Sequence, residues 1–336
     1  MPTALITGAS GLVGSHACER LLAEGWRVRA LVRDEAGAAW LRERGVDLHP
    51  GDILDQASFE AAARGCDLIV HCAAAVVARG GWEEYRRPNL DGTRNAIAAA
   101  ARSGARLVQV SSVSVYGAEA RYAASRRPCD EETPLEPLPE HAHYARSKRD
   151  SEAMVLAAHA DGRIWATAVR PDVIYGVRDR EFVPRLARVM RARVFPLLAR
   201  GRETMAIVHA ANVADGIVRA ATADVAGGRT YNLANDYDVT VAEFVRLAAV
   251  GLGHRVIGVP VPVTLARAAM AVARPVTARI MGASAAVMAR STVDFLTRGN
   301  PFSSERARRE LGWDPPMRPE IGIPEAFRWA KAARGR

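Results

Sequence analysis

A chain of 336 residues can form one large domain or two, and 49% hydrophobic with 25% charged residues is typical of a globular protein with a sizeable core. The net charge of +9 comes almost wholly from arginine, because only Lys148 and Lys331 are lysines among 46 basic residues. The arginines are scattered among acids, which argues against a nucleic-acid partner, and the four cysteines show neither metal-ligand spacing nor a secreted disulfide framework. An apolar strand begins at once and no apolar stretch reaches membrane-spanning length, so we expect a cytoplasmic protein with no metal, nucleic-acid or membrane partner.

The first predicted element is an apolar strand that enters a glycine-rich turn and then an amphipathic helix. Gly8 allows a sharp exit from the strand, Gly11 lets a phosphate approach the backbone, and Gly14 lets the helix pack closely. The N–H groups and positive end of the helix then face a pyrophosphate, although a tight turn that binds nothing is the alternative. The residues predicted to bind a dinucleotide here are Thr7, Gly8, Ser10, Gly11, Leu12, Val13 and Gly14.

Strands and helices alternate through the first half of the chain. The predicted strands cover residues 26–32, 46–49, 67–72, 106–112 and 164–170, and the helices cover 35–44, 56–64, 89–102 and 141–159. Near-continuous apolar strands at this interval indicate βαβ units and a parallel sheet. We therefore predict an α/β fold: a doubly wound Rossmann sheet at residues 1–175, with a late strand near 229–233 returning to it, and a smaller, mostly helical, discontinuous substrate lobe at 176–336.

The end of the second predicted strand indicates which dinucleotide is bound. A Rossmann unit that selects NAD places an acid about 20 residues beyond the glycine turn, where it binds the ribose 2′-hydroxyl. Here Arg33 stands nineteen residues after Gly14, and its guanidinium suits a 2′-phosphate, with Ser10 as a further donor. Asp34 follows and either turns inward, which favours NAD, or pairs with Arg33. We therefore favour NADP(H), with NAD(H) as the alternative.

Further motifs follow in a fixed order along the chain. After the glycine turn they are Asp52-Ile53, Ala73-Ala74-Ala75, Asn89-x-x-Gly92-Thr93, Ser111-Ser112-x-x-x-Tyr116-Gly117, Tyr144-x-x-x-Lys148, Arg170-Pro171-x-x-Ile174-Tyr175-Gly176 and a tail from Glu305 to Trp313. Jointly they resemble the extended short-chain dehydrogenase/reductase family, within the NAD-dependent epimerase/dehydratase superfamily. The resemblance covers almost the whole chain and implies an NAD(P)-dependent enzyme.

Tyr144 and Lys148 carry the predicted chemistry. They are four residues apart on a predicted helix, so both side chains project from one face. A tyrosine with a pKa near ~10 is a poor acid or base at pH 7, and a neighbouring ammonium lowers that pKa. A point charge that also holds two ribose hydroxyls suits lysine better than arginine. The alternative is a surface tyrosine and lysine on an amphipathic helix.

The resemblance assigns roles to other residues. Four residues before Tyr116, Ser112 matches the catalytic serine that orients the substrate carbonyl, with Ser111 and Ser114 as competing assignments. Asn89 matches the family asparagine that supports the active-site backbone and its water. The remaining residues predicted to bind the cofactor are Asp52, Ile53, Ala73, Ala74, Ala75, Arg170, Pro171 and Val173. Asp52 would bind the adenine amino group, and capping of the next helix is its alternative.

The residues also discriminate between substrate classes. The nucleotide-sugar branches of the family usually have an asparagine at Asp172 or Val173 and an arginine near Met205, and this chain lacks both. Its 209–215 segment resembles the hydroxysteroid dehydrogenase and dihydroflavonol reductase branches. We therefore expect a ketoreductase that acts on a mostly apolar carbonyl or secondary alcohol, and the alanine-rich helices near 89–102 and 141–159 predict a homodimer, which is usual in families of this resemblance. The rivals are a sugar-nucleotide epimerase or dehydratase and a cofactor-binding protein without turnover.

Overall fold

The molecule is built on one large parallel sheet. The computed structural model describes residues 1–76, 81–117, 128–234, 236–269, 271 and 293–333. The seven strands of the sheet are β1 (Thr3–Thr7), β2 (Arg27–Val32), β3 (Asp47–Pro50), β4 (Leu68–His71), β5 (Arg106–Val110), β6 (Ala166–Pro171) and β10 (Thr230–Leu233). Their order is β10-β6-β5-β4-β1-β2-β3, and every pairing is parallel. This confirms the doubly wound Rossmann sheet, with its order reversing between β1 and β4.

Helices cover both faces of the sheet. They are α1 (Leu12–Ala23), α2 (Glu35–Arg42), α3 (Gln56–Ala63), α4 (Trp82–Arg86), α5 (Gly92–Ser103) and α6 (His143–Ala160), with a π-helical turn at Arg87–Asp91 before α5 and a 3₁₀ turn at Val113–Tyr116. Successive residues of β1 point to opposite faces. Ile6 joins a core with α1, whereas Leu5 joins a second core with α3, α5 and α6. Burial on both faces explains why these strands read as continuous apolar runs.

The second half of the chain forms the smaller lobe. Its helices include α7 (Phe182–Met190), α9 (Val241–Leu252) and α11 (Pro319–Ala332), which share a separate apolar core. The lobe also contains two small parallel sheets that the sequence did not predict. In one, β7 (Val173–Tyr175) pairs with β9 (Ile207–His209), and in the other β8 (Val194–Leu198) pairs with β11 (Ile257–Val261).

Two segments from the second half pack on the sheet rather than in the lobe. Helix α8 (Ala210–Thr222) lies beside α1 in the Rossmann core, and α10 (Glu305–Leu311) follows it there with the fully buried Trp313. Asn212 explains this arrangement, since its carbonyl accepts from the Trp313 indole at 3.0 Å and its side chain bonds the backbone of Met317. The 209–215 motif and the C-terminal tail therefore stabilise one another. No helix among the described ranges is long and apolar enough to cross a membrane.

Candidate active site

A large cleft opens at the carboxyl ends of the strands, where open parallel sheets bind their ligands. It encloses about 1530 Å³, more than a single drug-sized ligand needs. Most of the predicted site residues line it: Gly8, Ser10, Gly11, Leu12, Val13, Gly14, Arg33, Asp52, Ile53, Ala73, Ala74, Ala75, Ser112, Tyr144 and Val173. The other predicted residues, namely Thr7, Asn89, Lys148, Arg170 and Pro171, lie behind this surface.

The glycine turn has the close approaches that a dinucleotide cradle requires. Gly8 has a φ of +67°, and a Cβ there would lie 2.9 Å from the backbone of Ala73. A Cβ on Gly14 would lie 2.3 Å from the Gly8 carbonyl oxygen, so this glycine packs against the turn itself rather than against the sheet. Helix α1 begins after Gly11 with no side-chain cap and no acid in its first turn. Its first N–H groups therefore face the cleft and fit a pyrophosphate.

The buried residues Thr7 and Asn89 hold the backbone that follows β4, opposite the glycine turn. The Thr7 hydroxyl accepts from the Ala73 N–H at 3.2 Å and bonds the His71 ring at 2.8 Å. Asn89 accepts from the Ala75 N–H at 2.7 Å, and its amide donates to the Ala75 carbonyl at 3.0 Å and to Ser147 on α6 at 2.8 Å. Thr7 and Asn89 thus position the backbone of residues 73–75, which follows β4 and lines the cleft.

The end of β2 forms one rim of the cleft. Arg33 is exposed there and has no ion pair or side-chain hydrogen bond within the described part of the chain. Asp34 does not pair with it, because its carboxylate turns toward Gly37 at the start of α2. Asp52 and Ile53 line the same rim. Asp52 accepts from the Leu54 N–H at 2.9 Å but does not cap the next helix, which Asp55 caps instead.

Ser112 and Tyr144 meet on the floor of the cleft. The two side chains lie close enough for Ser112 to favour the ionised form of Tyr144, and the Ser112 oxygen accepts from the Ser114 N–H at 3.2 Å. Ser112 therefore both caps the 113–116 turn and presents its hydroxyl to the tyrosine. Burial raises the pKa of Tyr144 above its usual value, and Ser112 opposes that shift. Tyr144 thus retains its proton at neutral pH.

Lys148 lies under Tyr144 on α6, fully shielded from solvent. Burial lowers its pKa to about 8, while Cys72 and Glu152 nearby favour its charged form. Its ammonium donates to the Val110 carbonyl at the end of β5. The sequence led us to expect that this ammonium lowers the pKa of Tyr144. In the structure burial raises that pKa, and the group that opposes the shift is Ser112 rather than Lys148.

Arg170 lies in the core of the protein and not in the cleft. Its guanidinium pairs with Glu152 at 3.0 Å and donates to the Tyr116 hydroxyl at 2.8 Å, all within the core. Pro171 ends β6 against Leu233. Only the backbone that follows reaches the cleft, through Asp172 and Val173. We predicted that Arg170 and Pro171 bind the cofactor. In the structure the residues that can contact it are the ones that follow them.

Two further residues belong to the cleft, one named above only as a competing assignment and one not predicted. Ser114 is the first: its buried hydroxyl has no hydrogen-bond partner within the described ranges and lies at the cleft. Arg178 has a φ of +72° and reaches from the lobe to α1, where it bonds Ser15 at 2.8 Å and Glu19 at 2.7 Å. A single sequence does not reveal Arg178, since the contact depends on the position of the lobe.

Comparison with known proteins identifies the family. The model of the NAD-dependent epimerase/dehydratase family matches residues 4–234. A 4-hydroxy-2-methyl-3-oxo-4-farnesyl-3,4-dihydroquinoline-1-oxide ketoreductase from Stigmatella aurantiaca is 31% identical over 311 residues, covering 92% of this chain and 90% of the relative. Ceramide reductase from Caulobacter vibrioides is 31% identical over 267 residues, covering 79% and 76%.

The solved structures agree on the fold. UDP-glucuronic acid 4-epimerase from Bacillus cereus in complex with NAD superposes with a TM-score of 0.73 over 98% of this chain and 99% of the other, at 17% identity. A likeness at that identity describes architecture and not substrate. These findings identify the family of the protein, together with the family match over two thirds of the chain, the glycine cradle and the neighbouring Ser112 and Tyr144. The chain belongs to the NAD-dependent epimerase/dehydratase family and is an NAD(P)-dependent enzyme of the short-chain dehydrogenase/reductase type.

Proposed function

We propose that the enzyme interconverts a carbonyl and a secondary alcohol on a mostly apolar small molecule, with NADP(H) as cofactor. The observation that carries this proposal is that Ser112 and Tyr144 line the floor of a cleft whose other wall is a dinucleotide cradle, with Ser112 near enough to act on the Tyr144 hydroxyl. Two relatives that are each 31% identical are named as a ketoreductase and a reductase, which supports net reduction. Steroid-like and flavonoid-like ring ketones are the substrates to try first.

The side chains divide the chemistry between them. Ser112 donates a hydrogen bond to the substrate oxygen and orients it beside the Tyr144 hydroxyl. A nicotinamide cofactor held at the Gly8–Gly14 turn would supply or accept the hydride. Tyr144 Oη donates its proton to the substrate oxygen during reduction and takes it back during oxidation. The buried Lys148 ammonium stabilises the phenolate left behind, since an opposite charge in a low-dielectric site acts more strongly than in water.

The proposed preference for NADP(H) rests on Arg33. Its guanidinium is exposed at the rim, without an ionic partner within the described ranges, and Asp34 is turned away toward Gly37. A 2′-phosphate brings the negative charge that such a guanidinium pairs with bidentately. A 2′-hydroxyl offers Arg33 no comparable interaction, so NADH should bind more weakly.

Nucleotide sugars fit the cleft less well than an apolar ketone. Met205 stands near the position where the nucleotide-sugar branches have an arginine, and it is buried in the core of the lobe. Asp172 and Val173 line the cleft where an asparagine is usual in those branches. At these positions the site therefore lacks the asparagine and the arginine that the nucleotide-sugar branches usually have there.

A substrate screen tests the proposal. Ring ketones and nucleotide sugars are incubated in parallel with the enzyme and NADPH, and both cofactor absorbance and product are measured. We expect one NADPH oxidised for each alcohol formed and no turnover of nucleotide sugars, and Ser112→Ala should lower the ketone rate. Conversion of a nucleotide sugar without net consumption of cofactor contradicts the proposal and supports an epimerase.

We also propose that the enzyme is a homodimer through α5 and α6. Both helices are alanine-rich and pack side by side on one face of the sheet, and Ala153 and Ala157 of α6 are exposed. Small side chains permit close helix–helix approach across a two-fold axis. Light scattering at micromolar concentration should give twice the mass of the 36.2 kDa chain, and a monomer mass contradicts the proposal.

A further inference from the structure

One surface of the lobe combines exposed aliphatic side chains with unpaired arginines. Strands β8 and β11 pair in parallel, so that Val194 stands opposite Ile257 and Pro196 opposite Val259. These side chains point outward, with Val194 47%, Ile257 53% and Val259 41% exposed, whereas Phe195 between them is buried. We call this outward side of the two strands the β8–β11 face. Large aliphatic residues gathered on one exposed face usually mark a surface that contacts a partner.

Arginines surround the β8–β11 face. Arg188, Arg191, Arg193, Arg200, Arg202 and Arg255 are all exposed, and none has an ion pair or side-chain hydrogen bond within the described ranges. Residues 182–202 and 244–269, which carry the face, contain no aspartate or glutamate, and the flanking Glu181 and Glu243 pair with Arg185 and Arg246 rather than with these six arginines. Elsewhere in the chain arginines are interleaved with acids and form many ion pairs. The face is therefore locally and strongly positive, and the rest of the surface is mixed.

The backbone conformation at both ends of β8 also indicates that this face has a function. Arg193 and Arg200 each have a φ of +58°, the left-handed region that glycine adopts at little cost and other residues rarely occupy. Both positions therefore favour glycine by backbone alone, yet both carry arginine. Residues held in this region cluster at functional sites, which is consistent with a requirement for the charge at these two positions.

We propose that the β8–β11 face docks on an anionic membrane surface. Aliphatic side chains that enter the headgroup region, flanked by arginines that meet anionic lipid, are the pattern of peripheral membrane binding. A second copy fits less well, because a two-fold contact sets arginine against arginine. Nucleic acid would bind the arginines but leave Val194, Ile257 and Val259 without apolar contact. The sequence analysis expected no membrane partner because no apolar stretch reaches spanning length, and surface docking, which needs no such stretch, departs from that expectation.

The face lies one short helix away from the cleft. Helix α7 begins at Phe182, which lines the cleft, and ends at Met190, next to the 51%-exposed Val189. Its axis spans roughly 12 Å at 1.5 Å per residue. If the substrate is the apolar carbonyl of the proposed function, docking would bring the cleft near the lipid phase in which such a compound dissolves. This link depends on the proposed function, whereas the docking itself does not.

Vesicle co-sedimentation of the full chain, without substrate or cofactor, tests the docking. The probes are vesicles of phosphatidylcholine alone and vesicles with about one-third phosphatidylglycerol, at low and high salt. Arg193→Gly/Arg200→Gly removes two charges at positions whose left-handed backbone suits glycine, and a thermal melt confirms that the variant is folded. Val194→Ser/Ile257→Ser tests the aliphatic centre. Arg64→Ala/Arg163→Ala is the matched control, because both arginines are exposed and lie at the opposite edge of the sheet.

We expect binding to the anionic vesicles only, weakened by salt. Each basic residue at such a surface changes partitioning by about five-fold, so the double glycine variant should bind at least ten-fold more weakly. The double serine variant should also lose several-fold, and the control should match the parent. No binding by the parent, equal binding by the glycine or serine variants, or a lower oligomeric mass of the glycine variant overturns the proposal. Binding to duplex DNA in place of vesicles overturns it as well.

Discussion

Two cations at opposite ends of the cleft, Arg33 at the rim and Lys148 behind the floor, lie in opposite environments. At the rim, Arg33 is exposed and has no ionic partner within the described ranges. At the floor, Lys148 is buried, bonded to the Val110 carbonyl, and its pKa is lowered to about 8. An exposed guanidinium is available to a ligand but gains only a modest, screened interaction. A buried ammonium acts strongly on the groups beside it, because its surroundings have a low dielectric constant.

This difference separates recognition from chemistry. Loss of the rim cation should weaken cofactor binding and leave the bound complex reactive. Loss of a group at the floor should slow the reaction and leave binding nearly intact. Each of the following substitutions tests whether cofactor binding at the rim and the chemical step at the floor can be changed separately.

The largest effect is expected for Tyr144→Phe. The phenyl ring keeps the packing on α6 while the transferable proton is lost, and such a proton is typically worth 10²–10⁴-fold in rate. We expect turnover to fall by that factor while the affinity for NADPH changes little, measured by steady-state kinetics and fluorescence titration. Tyr231→Phe is the control, since its hydroxyl bonds Glu310 far from the cleft. Turnover within a few-fold of the parent would remove Tyr144 from its proposed role.

Lys148→Met should lower kcat/KM for ketone reduction at least ten-fold. In the parent, the ammonium loses its proton as pH rises through about 8, so kcat/KM should fall above that pH, and the variant should lack this limb. Lys331→Met is the matched control, because it also donates to a backbone carbonyl, that of Leu252, but on the lobe. An unchanged alkaline limb in Lys148→Met contradicts the assignment.

Unfolding gives a second readout for Lys148. Its folded pKa of about 8 lies below the ordinary value of 10.5, so the unfolded chain binds more protons between these values. Stability therefore rises with pH in that window. The free energy of unfolding of the parent, relative to Lys148→Met, should increase from pH 8 to 10.5 in denaturant titrations. A constant difference would show that the ammonium is not buried.

Arg33→Ala tests the rim. Charge-assisted hydrogen bonds contribute about 1.5–3 kcal/mol, so NADPH affinity should fall about ten- to a hundred-fold. NADH affinity should stay within a few-fold, because no 2′-phosphate is lost. Arg27→Ala is the control at the other end of β2, where the side chain is also exposed. A parent that prefers NADH, or a variant with unchanged NADPH affinity, shows that Arg33 does not bind the 2′-phosphate.

The smallest effect is expected for Ser114→Ala. Its buried hydroxyl lines the cleft without a protein partner in the described ranges, so its removal costs the fold little and deprives the substrate of one hydrogen bond. We expect KM to rise about three- to ten-fold with kcat nearly unchanged. Ser111→Ala is the matched control, because its hydroxyl is equally buried and unpartnered there but does not line the cleft. Equal KM values for both variants contradict the substrate contact.

Much of the sheet domain could be predicted from the sequence, because its strands are buried on both faces. The strand predicted at 106–112 is β5 at Arg106–Val110, and the one predicted near 229–233 is β10. The lobe strands were missed for a physical reason. β8 and β11 are short, each contains a proline, and each pairs with a strand far away in the chain, so no local pattern marks them.

The parts of the site that the backbone forms could be predicted from the sequence. The contacts that depend on the direction of a side chain were predicted less well. The glycine cradle follows from spacing alone. Arg170 stands at the predicted place, but its side chain points into the core toward Glu152, which spacing does not reveal. Arg178 depends on how the lobe meets α1, and the cap of α3 is Asp55 rather than Asp52 because the chain makes an extra turn between them.

The most direct test of the separation between the two ends is a single-turnover measurement with NADPH and a ketone substrate. The hydride-transfer rate and the NADPH dissociation constant are determined for the parent, Arg33→Ala and Tyr144→Phe. Arg33→Ala should raise the dissociation constant about ten- to a hundred-fold while its rate at saturation stays within a few-fold of the parent. Tyr144→Phe should do the reverse. If either variant changes both quantities by similar factors, the rim and the floor are not separate, and the central claim is contradicted.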